Sequence, residues 1–405
     1  MALDRFHPLA QQELDSLRAE GKRKSFEAVV ERVIQPQGQS GPRFVLRGDS
    51  APYLRMNANS YLGLSFHPKL IEADEAAVRA YGVGPGAVRF ISGSYLPHVQ
   101  LEARLAAFHG RGASMIFSSA YATVLSVLSV LITPQTAVIS DELNHNCIIN
   151  AVRLSRPHSK AVYKHLDLDG LDTQLTAAKG AARALVVTDG IFSMRGAHAP
   201  LAEIAAICRA HDADFPEGVL LVVDDSHGVG AFGQTGRGTE EFTHTQVDVL
   251  IGTLGKAFGV NGGYVTSSHV LIDYLREKSP TYIYSNPITA GEAAAAHAAL
   301  DLTDSEWGRE RLTRLRSLTE QFRSGLKERG FETLDGQHPV VPLFVRDQAK
   351  LVARVADLKT RGILATGISY PVVPKGDESV RFQINADHTP ADVDEVLAAL
   401  GRATP

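Results

Sequence analysis

Apolar residues in this chain gather into short continuous runs separated by longer stretches of mixed character. Residues 184–187 (ALVV), 219–223 (VLLVV) and 247–251 (VDVLI) are β-branched runs bounded by Gly, Asp or Pro. Runs of this length with little polar alternation predict strands buried on both faces. Between them lie stretches of helical spacing such as 201–210 (LAEIAAICRA). Strands alternating with helices predict an α/β arrangement, a mostly parallel sheet covered on both sides. At the N-terminus, 8–21 predicts an amphipathic helix and 35–52 a Gly/Pro-rich connection with one short strand.

One run is unusual. Residues 113–140 contain no charge, and 124–132 (VLSVLSVLI) is strongly apolar. A transmembrane helix needs about 20 mostly apolar residues, whereas Ser118, Ser119, Thr123, Ser126, Ser129 and Pro134 interrupt this one. The expectation is a helix buried in a large core, with no membrane span. From residue 290 the texture changes to an alanine-rich helix (290–302), a charged amphipathic helix (309–329), strands at 340–345, 362–364 and 379–384, and a last helix at 390–400. The expected division is an N-terminal helix and connecting segment (1–55), a large α/β domain (56–290) and a smaller C-terminal α+β domain (291–405).

The chain has 405 residues, with 41 Lys+Arg against 45 Asp+Glu, a net charge of −4. That balance argues against nucleic acid as a partner, because phosphate recognition needs a basic surface. Cys147 and Cys208 are too few for a disulfide framework or a cysteine zinc site, and a reducing, cytoplasmic setting is expected. The first twenty residues carry Asp4, Arg5, Glu13, Asp15, Arg18 and Glu20 without an apolar segment, so no secretory leader is expected there.

Three features near predicted strand ends carry chemistry, and in open α/β sheets ligands gather at the carboxyl ends of strands. Lys256 lies in 252–259 (GTLGKAFG), where glycines permit close approach of a ligand and desolvation would lower an ammonium pKa toward nucleophilic use. A P-loop is excluded: its first glycine would fall on Leu250, and Ala257 follows the lysine. Asp224 and His227 leave a strand in 222–228 (VVDDSHG), and a buried carboxylate there needs a positive or hydrogen-bonding partner. His145 sits in 140–149 (SDELNHNCII). A metal hydrolase could use Asp and His, yet H-E-x-x-H is absent and a metal would leave the lysine unexplained. Pyridoxal phosphate accounts for all three, needing a Schiff-base lysine, an acid against the pyridine nitrogen, a flat group over the ring and a phosphate cup.

Several motifs, in order, resemble the α-oxoamine synthases: 57–64 (NANSYLGL), 141–149 (DELNHNCII), 188–194 (TDGIFSM), 222–230 (VVDDSHGVG) and 252–264 (GTLGKAFGVNGGY). These are fold-type-I pyridoxal-phosphate enzymes. The glycine C-acetyltransferase (2-amino-3-ketobutyrate CoA ligase) branch is most similar, at 88–91 (VRFI), 284–286 (YSN) and 369–376 (SYPVVPKG). The resemblance implies a large domain with a mostly parallel seven-stranded sheet and a smaller C-terminal domain. It implies that Lys256 forms the imine and shuttles the α-proton, that Asp224 pairs with the pyridine nitrogen, and that His227 and Ser193 bond the ring oxygen. His145 would stack on the ring, with Asp189 at a further motif position that could instead brace the fold, as could His98. Ser119, Ala120 and Tyr121 would form the phosphate cup, Thr253 would add a hydroxyl, and Ser285 and Asn286 would reach the neighbouring subunit's phosphate in a homodimer. Arg381 and Asn59 would hold the amino-acid carboxylate.

The implied reaction condenses glycine or another small amino acid with an acyl-CoA, giving an α-amino ketone or 2-amino-3-keto acid, CoA and, after decarboxylation, CO2. A plain aminotransferase, and the same chemistry with alanine or serine and a longer acyl-CoA, are the alternatives; a non-catalytic binding protein would have to have lost Lys256, Asp224 or Arg381. The chain departs from the family where Arg195 replaces the Asp of S-M-D-G, at Ala122 and Val124, and at 93–97 (GSYLP). At an acyl entrance, Arg195 could bind a CoA phosphate or an acidic acyl group.

Overall fold

The apolar runs form the middle of a seven-stranded sheet in this computed structural model, which describes residues 2–20 and 27–403. Its strands are β1 (Ala113–Phe117), β2 (Thr136–Asp141), β3 (Ser159–Tyr163), β4 (Arg183–Asp189), β5 (Val219–Asp224), β6 (Val249–Thr253) and β7 (Gly263–Ser267). They lie in the order β1-β7-β6-β5-β4-β2-β3. Only β7 is reversed, pairing antiparallel with β1 and β6. This is the mostly parallel seven-stranded sheet that the resemblance implies.

Why the strands lack polar alternation is visible in their packing. Leu185, Val187, Val222, Val249 and Ile251 face one layer of helices with Val124, Leu128 and Ile148. The intervening Ala184, Val186, Leu221, Val223 and Leu250 face the other, with Leu201 and Ile204. Both faces are dry, so every position is apolar.

The uncharged run 113–140 is not one core helix. It is strand β1, a helix at Ala120–Leu131 and strand β2. Ser119 starts the helix by accepting a hydrogen bond from the Ala122 amide at 3.1 Å, and the chain turns at Thr133 and Pro134 into β2. A fully buried strand and a buried helix share the same apolar texture, so periodicity could not separate them. The N-terminal connection also differs from expectation. It contributes three strands (Val30–Ile34, Arg43–Leu46, Pro52–Arg55), and the last pairs with Ile363–Leu364 of the C-terminal region. The N-terminal helix spans Ala2–Ala19; its expected end at Gly21 lies outside the described residues.

In the C-terminal region, the helix Glu306–Glu328 buries Leu312, Leu315, Leu318, Phe322 and Leu326 at helical spacing. It joins Phe382, Val396, Leu54, Leu101 and Ala296 in a core shared with the N-terminal segment. Val340–Phe344, Ser379–Gln383 and Thr366–Ile368 form an antiparallel three-stranded sheet. Among the described residues no helix is long and apolar enough to cross a membrane.

For the site, one consequence matters. Asp141, Asp189, Asp224 and Thr253 each end a parallel strand, and the reversed β7 begins with Gly263 at that same edge.

Candidate active site

At this carboxyl edge a cleft is lined by Ala120, Tyr121, His145, Asp189, Ser193, Asp224, His227 and Lys256, all predicted from sequence. The two acids after β5 face different ways. Asp224 accepts from the Ser226 amide (3.1 Å) and hydroxyl (2.5 Å), and its other oxygen lies 3.6 Å from the Cys147 sulfur. Asp225 is bound by the Thr239 amide and hydroxyl at 2.6 and 2.7 Å. A Cβ at Gly190 or Gly228 would come within 2.2 Å of its carboxylate, so it is a bracket walled in by backbone. Burial pushes its pKa up to about 7. Only Asp224 looks into the cleft.

His145 caps the helix Asn146–Leu154. Its Nδ1 accepts from the Cys147 amide at 3.2 Å, and burial lowers its pKa. The ring is therefore neutral with its proton on Nε2. Its own amide donates to Asp189 Oδ2 at 3.2 Å. Asp189 Oδ1 is buried without a partner, and burial together with Asp224 raises that carboxyl well above the usual range. Lys256 has its ammonium pKa lowered by burial, against the opposing pull of Asp224 and Asp189.

His227 is held by a residue to which the sequence had assigned no role. The Tyr61 hydroxyl lies 2.7 Å from His227 Nδ1. Burial keeps Tyr61 protonated and drives the His227 pKa well below its ordinary value. The phenol and the neutral imidazole therefore share one hydrogen bond, and the same hydroxyl lies 3.3 Å from Asn59 Oδ1. Behind them His338 donates from Nε2 to the His227 carbonyl at 2.9 Å and accepts the Val340 amide at 3.1 Å. Cys147 and Ser226 also line the cleft without having been assigned a part; both sit inside motifs, two residues from His145 and Asp224, and a turn or cap at each motif was the available signal.

The Ala120–Leu131 helix points its N-terminus into the cleft. Gly263 lets it sit there, since a Cβ at that position would lie 2.3 Å from the Ala120 amide nitrogen. Thr253, the last residue of β6, leads into the turn carrying Lys256, donating to the Gly262 carbonyl at 3.2 Å and accepting from the Gly255 amide at 3.1 Å. Arg381 donates to Asn59 Oδ1 at 2.9 Å and is only 8% exposed. Among the described residues no carboxylate pairs with it. An unmatched buried guanidinium is costly unless an anion joins it. Ser285 and Asn286 stand apart from this cleft, on the surface beside the 80% exposed Tyr284. His98 is a brace, bonded through Nε2 to the Ile288 carbonyl at 2.8 Å. Arg195 is bound to Asp377, so it is not an open anion site.

The aminotransferase class I and II family model matches residues 51–400. The human mitochondrial 2-amino-3-ketobutyrate coenzyme A ligase is 38% identical over 403 residues, covering 98% of this chain and 92% of that protein. The 8-amino-7-oxononanoate synthase of Marinobacter nauticus is 41% identical over 361 residues, covering 88% and 89%. This chain is an α-oxoamine synthase of the class I and II aminotransferase family. Among solved structures, the synthase is similar to serine palmitoyltransferase from Sphingomonas wittichii (TM-score 0.88, 26% identity, 98% and 96% covered). It is also similar to a serine palmitoyltransferase from S. paucimobilis with bound PLP–myriocin aldimine (TM-score 0.87, 27% identity, 98% and 97% covered).

The residues of this synthase fit pyridoxal phosphate. The orphaned Asp189 Oδ1, the inward-facing Asp224, the neutral His145 ring and a helix N-terminus admitted by Gly263 supply the polar, flat and anion-binding partners it requires.

Proposed function

We propose that this α-oxoamine synthase joins glycine, or another small amino acid, to an acyl-CoA, releasing CoA and an α-amino ketone or 2-amino-3-keto acid. The observation that carries the reading is the meeting of three groups at one site. Lys256 is an amine with a depressed pKa, Asp224 an inward-facing carboxylate, and Arg381 a buried cation lacking a counter-ion.

Pyridoxal phosphate, when bound, withdraws electrons from the α-carbon of an amine attached to it. The protein's own groups do the rest. Asp224 would hold the pyridine nitrogen protonated, its carboxylate aimed by Ser226. His145 would cover one ring face with its tautomer set by Cys147, and His227 and Ser193 would hold the ring oxygen. Ser119, Ala120 and Tyr121 would bind the phosphate at the helix N-terminus. Arg381, assisted by Asn59, would grip the substrate carboxylate with two parallel bonds, a geometry the guanidinium fork suits. Lys256 Nζ, neutral at lower pH than an ordinary lysine, would take the α-proton.

We further propose a homodimer in which Ser285 and Asn286 complete the partner's phosphate site; the exposed Tyr284, Phe90 and Ile91 support an apolar contact there. The division at residues 55 and 290, and residence in the cytoplasm, belong to the same reading; two buried free thiols support a reducing compartment.

The test is thiol release from acyl-CoA by the holoenzyme with glycine, alanine or serine. Amino-acid-dependent CoA release with an aminoketone product is expected. Amino-group transfer to a keto acid without CoA release would overturn the proposal.

A further inference from the structure

Beside the catalytic cleft lies a second cavity of about 470 Å³. The two share a wall: in the segment 191–195, Ile191 and Ser193 face the cleft, whereas Phe192, Met194 and Arg195 face the second cavity. Met194 joins them, with its sulfur 3.9 Å from Arg381 Nη1. The cavity therefore begins where the amino-acid carboxylate would be held. Across from this wall, residues 370–374 close the cavity with Tyr370, Val372, Val373 and two prolines.

We infer that this chamber receives the acyl chain of the thioester and selects a neutral aliphatic chain over one ending in a carboxylate, with Asp377 as the residue that enforces the choice. The inference rests on the condensation proposed above and names its acyl substrate class.

Two cations line the chamber. Lys164 is 80% exposed and paired with Glu142 at 2.9 Å, so it is solvated and offers little to a buried anion. Arg195 is set deeper, at 29% exposure, and its Nη2 is bound to the Asp377 carboxylate. Asp377 also receives Arg346 at 2.7 Å, and Arg346 is held in turn by Glu332. The series Arg195, Asp377, Arg346, Glu332 carries two positive and two negative charges, a net of zero. Lys375 of the same loop is exposed, stands 5.5 Å from the Tyr370 ring centre and does not line the chamber. A terminal carboxylate entering here would leave water beside Leu143, Ile149, Phe192 and Val373 and find Arg195 already paired with Asp377 and Lys164 already paired with Glu142. An alkyl end gains from burial against Leu143, Ile149, Phe192 and Val373.

Butanoyl-CoA and succinyl-CoA test this directly, because they share a four-carbon chain and differ by a terminal carboxylate. Turnover is read as kcat/KM with glycine. Binding is read separately by calorimetry on the holoenzyme, using the unreactive thioethers S-butyl-CoA and S-(3-carboxypropyl)-CoA. The expected result is a preference of tenfold or more for the neutral member in both readouts. Asp377→Asn releases Arg195 and should move the ratio at least tenfold toward the acidic member. The double variant Arg195→Gln/Asp377→Asn, with no cation to release, should return it toward the original value. Asp377→Ser takes the same role if the asparagine variant does not fold. Equal or better binding of the acidic member, or a ratio unmoved by Asp377→Asn, would overturn the inference. Thioether binding in the expected ratio without CoA release from any thioester would overturn the condensation and leave the selectivity standing.

Discussion

The Tyr61–His227 contact holds the His227 imidazole in place at the edge of the cleft. Tyr61→Phe removes the hydroxyl 2.7 Å from His227 Nδ1 and leaves that nitrogen buried without its partner. The expected outcome is a shifted pH midpoint in the visible absorption of the holoenzyme and a fall in kcat of about fivefold, since a hydrogen bond is worth about 1 kcal/mol and a decade corresponds to about 1.4 kcal/mol. A pH titration of absorbance with an unchanged midpoint would remove Tyr61 from this role. Arg381 makes a different prediction. Arg381→Lys keeps the charge but loses the fork, so the KM for the amino acid should rise tenfold or more while that for acyl-CoA stays within a factor of two to three. Steady-state kinetics with each substrate varied in turn checks this. At this scale, the sequence made the groups inside motifs legible: Lys256, Asp224, His145 and Arg381 each occupy a short pattern. Tyr61 also lay in a quoted motif, but its partner is 166 residues away, and Arg195 meets Asp377 across 182. No local spacing encodes such pairs.

Among the elements, the helix Ala120–Leu131 and strand β7 depend on one another. The strand's first residue is a glycine because the helix N-terminus lies against it, 2.3 Å from where a Cβ would stand. Gly263→Ala should push the helix end away and weaken cofactor binding at least tenfold, read by fluorescence titration of the apoprotein, with a smaller effect on kcat once saturated. An unchanged affinity would show that this helix end does not hold the phosphate. The same element shows where the sequence was ambiguous. The run 113–140 is apolar because all three of its pieces are buried, and burial erases the polar positions from which period 2 or 3.6 is read. Where one face stays wet, as on the helix Glu306–Glu328, apolar spacing located the element within a few residues. Of the three N-terminal strands only one, Arg43–Leu46, was expected, and the other two were hidden for another reason: each is four or five residues long, and Pro52–Arg55 is completed by Ile363–Leu364 from the far end of the chain.

For the molecule as a whole, acid sensitivity follows from buried histidines. Burial lowers His109 and His338 to about 3 and His388 to about 4, and His227 falls well below its ordinary value. Below about pH 6.5 the unfolded chain takes up protons that these folded side chains refuse, so stability falls as pH drops from there toward 3–4, by up to about 1.4 kcal/mol per unit for each histidine. Asp225 and Asp189 act in the opposite sense: the folded pKa of Asp225, raised to about 7, favours the native state as pH falls below it, and the raised carboxyl of Asp189 works in the same direction. The histidines outnumber them, and a melting temperature lower at pH 5 than at pH 7.5 is expected by calorimetry; an equal or higher value would contradict this balance. The architecture follows from the alternation of apolar runs and helices, and its chemistry from where the parallel strands end. That chemistry depends above all on which amine carries the cofactor. Borohydride reduction of the holoenzyme, followed by peptide mass spectrometry, tests this most directly. The account predicts a pyridoxyl-phosphate mass increment on Lys256, absent in Lys256→Ala; an adduct on another lysine, or none at all, would contradict it.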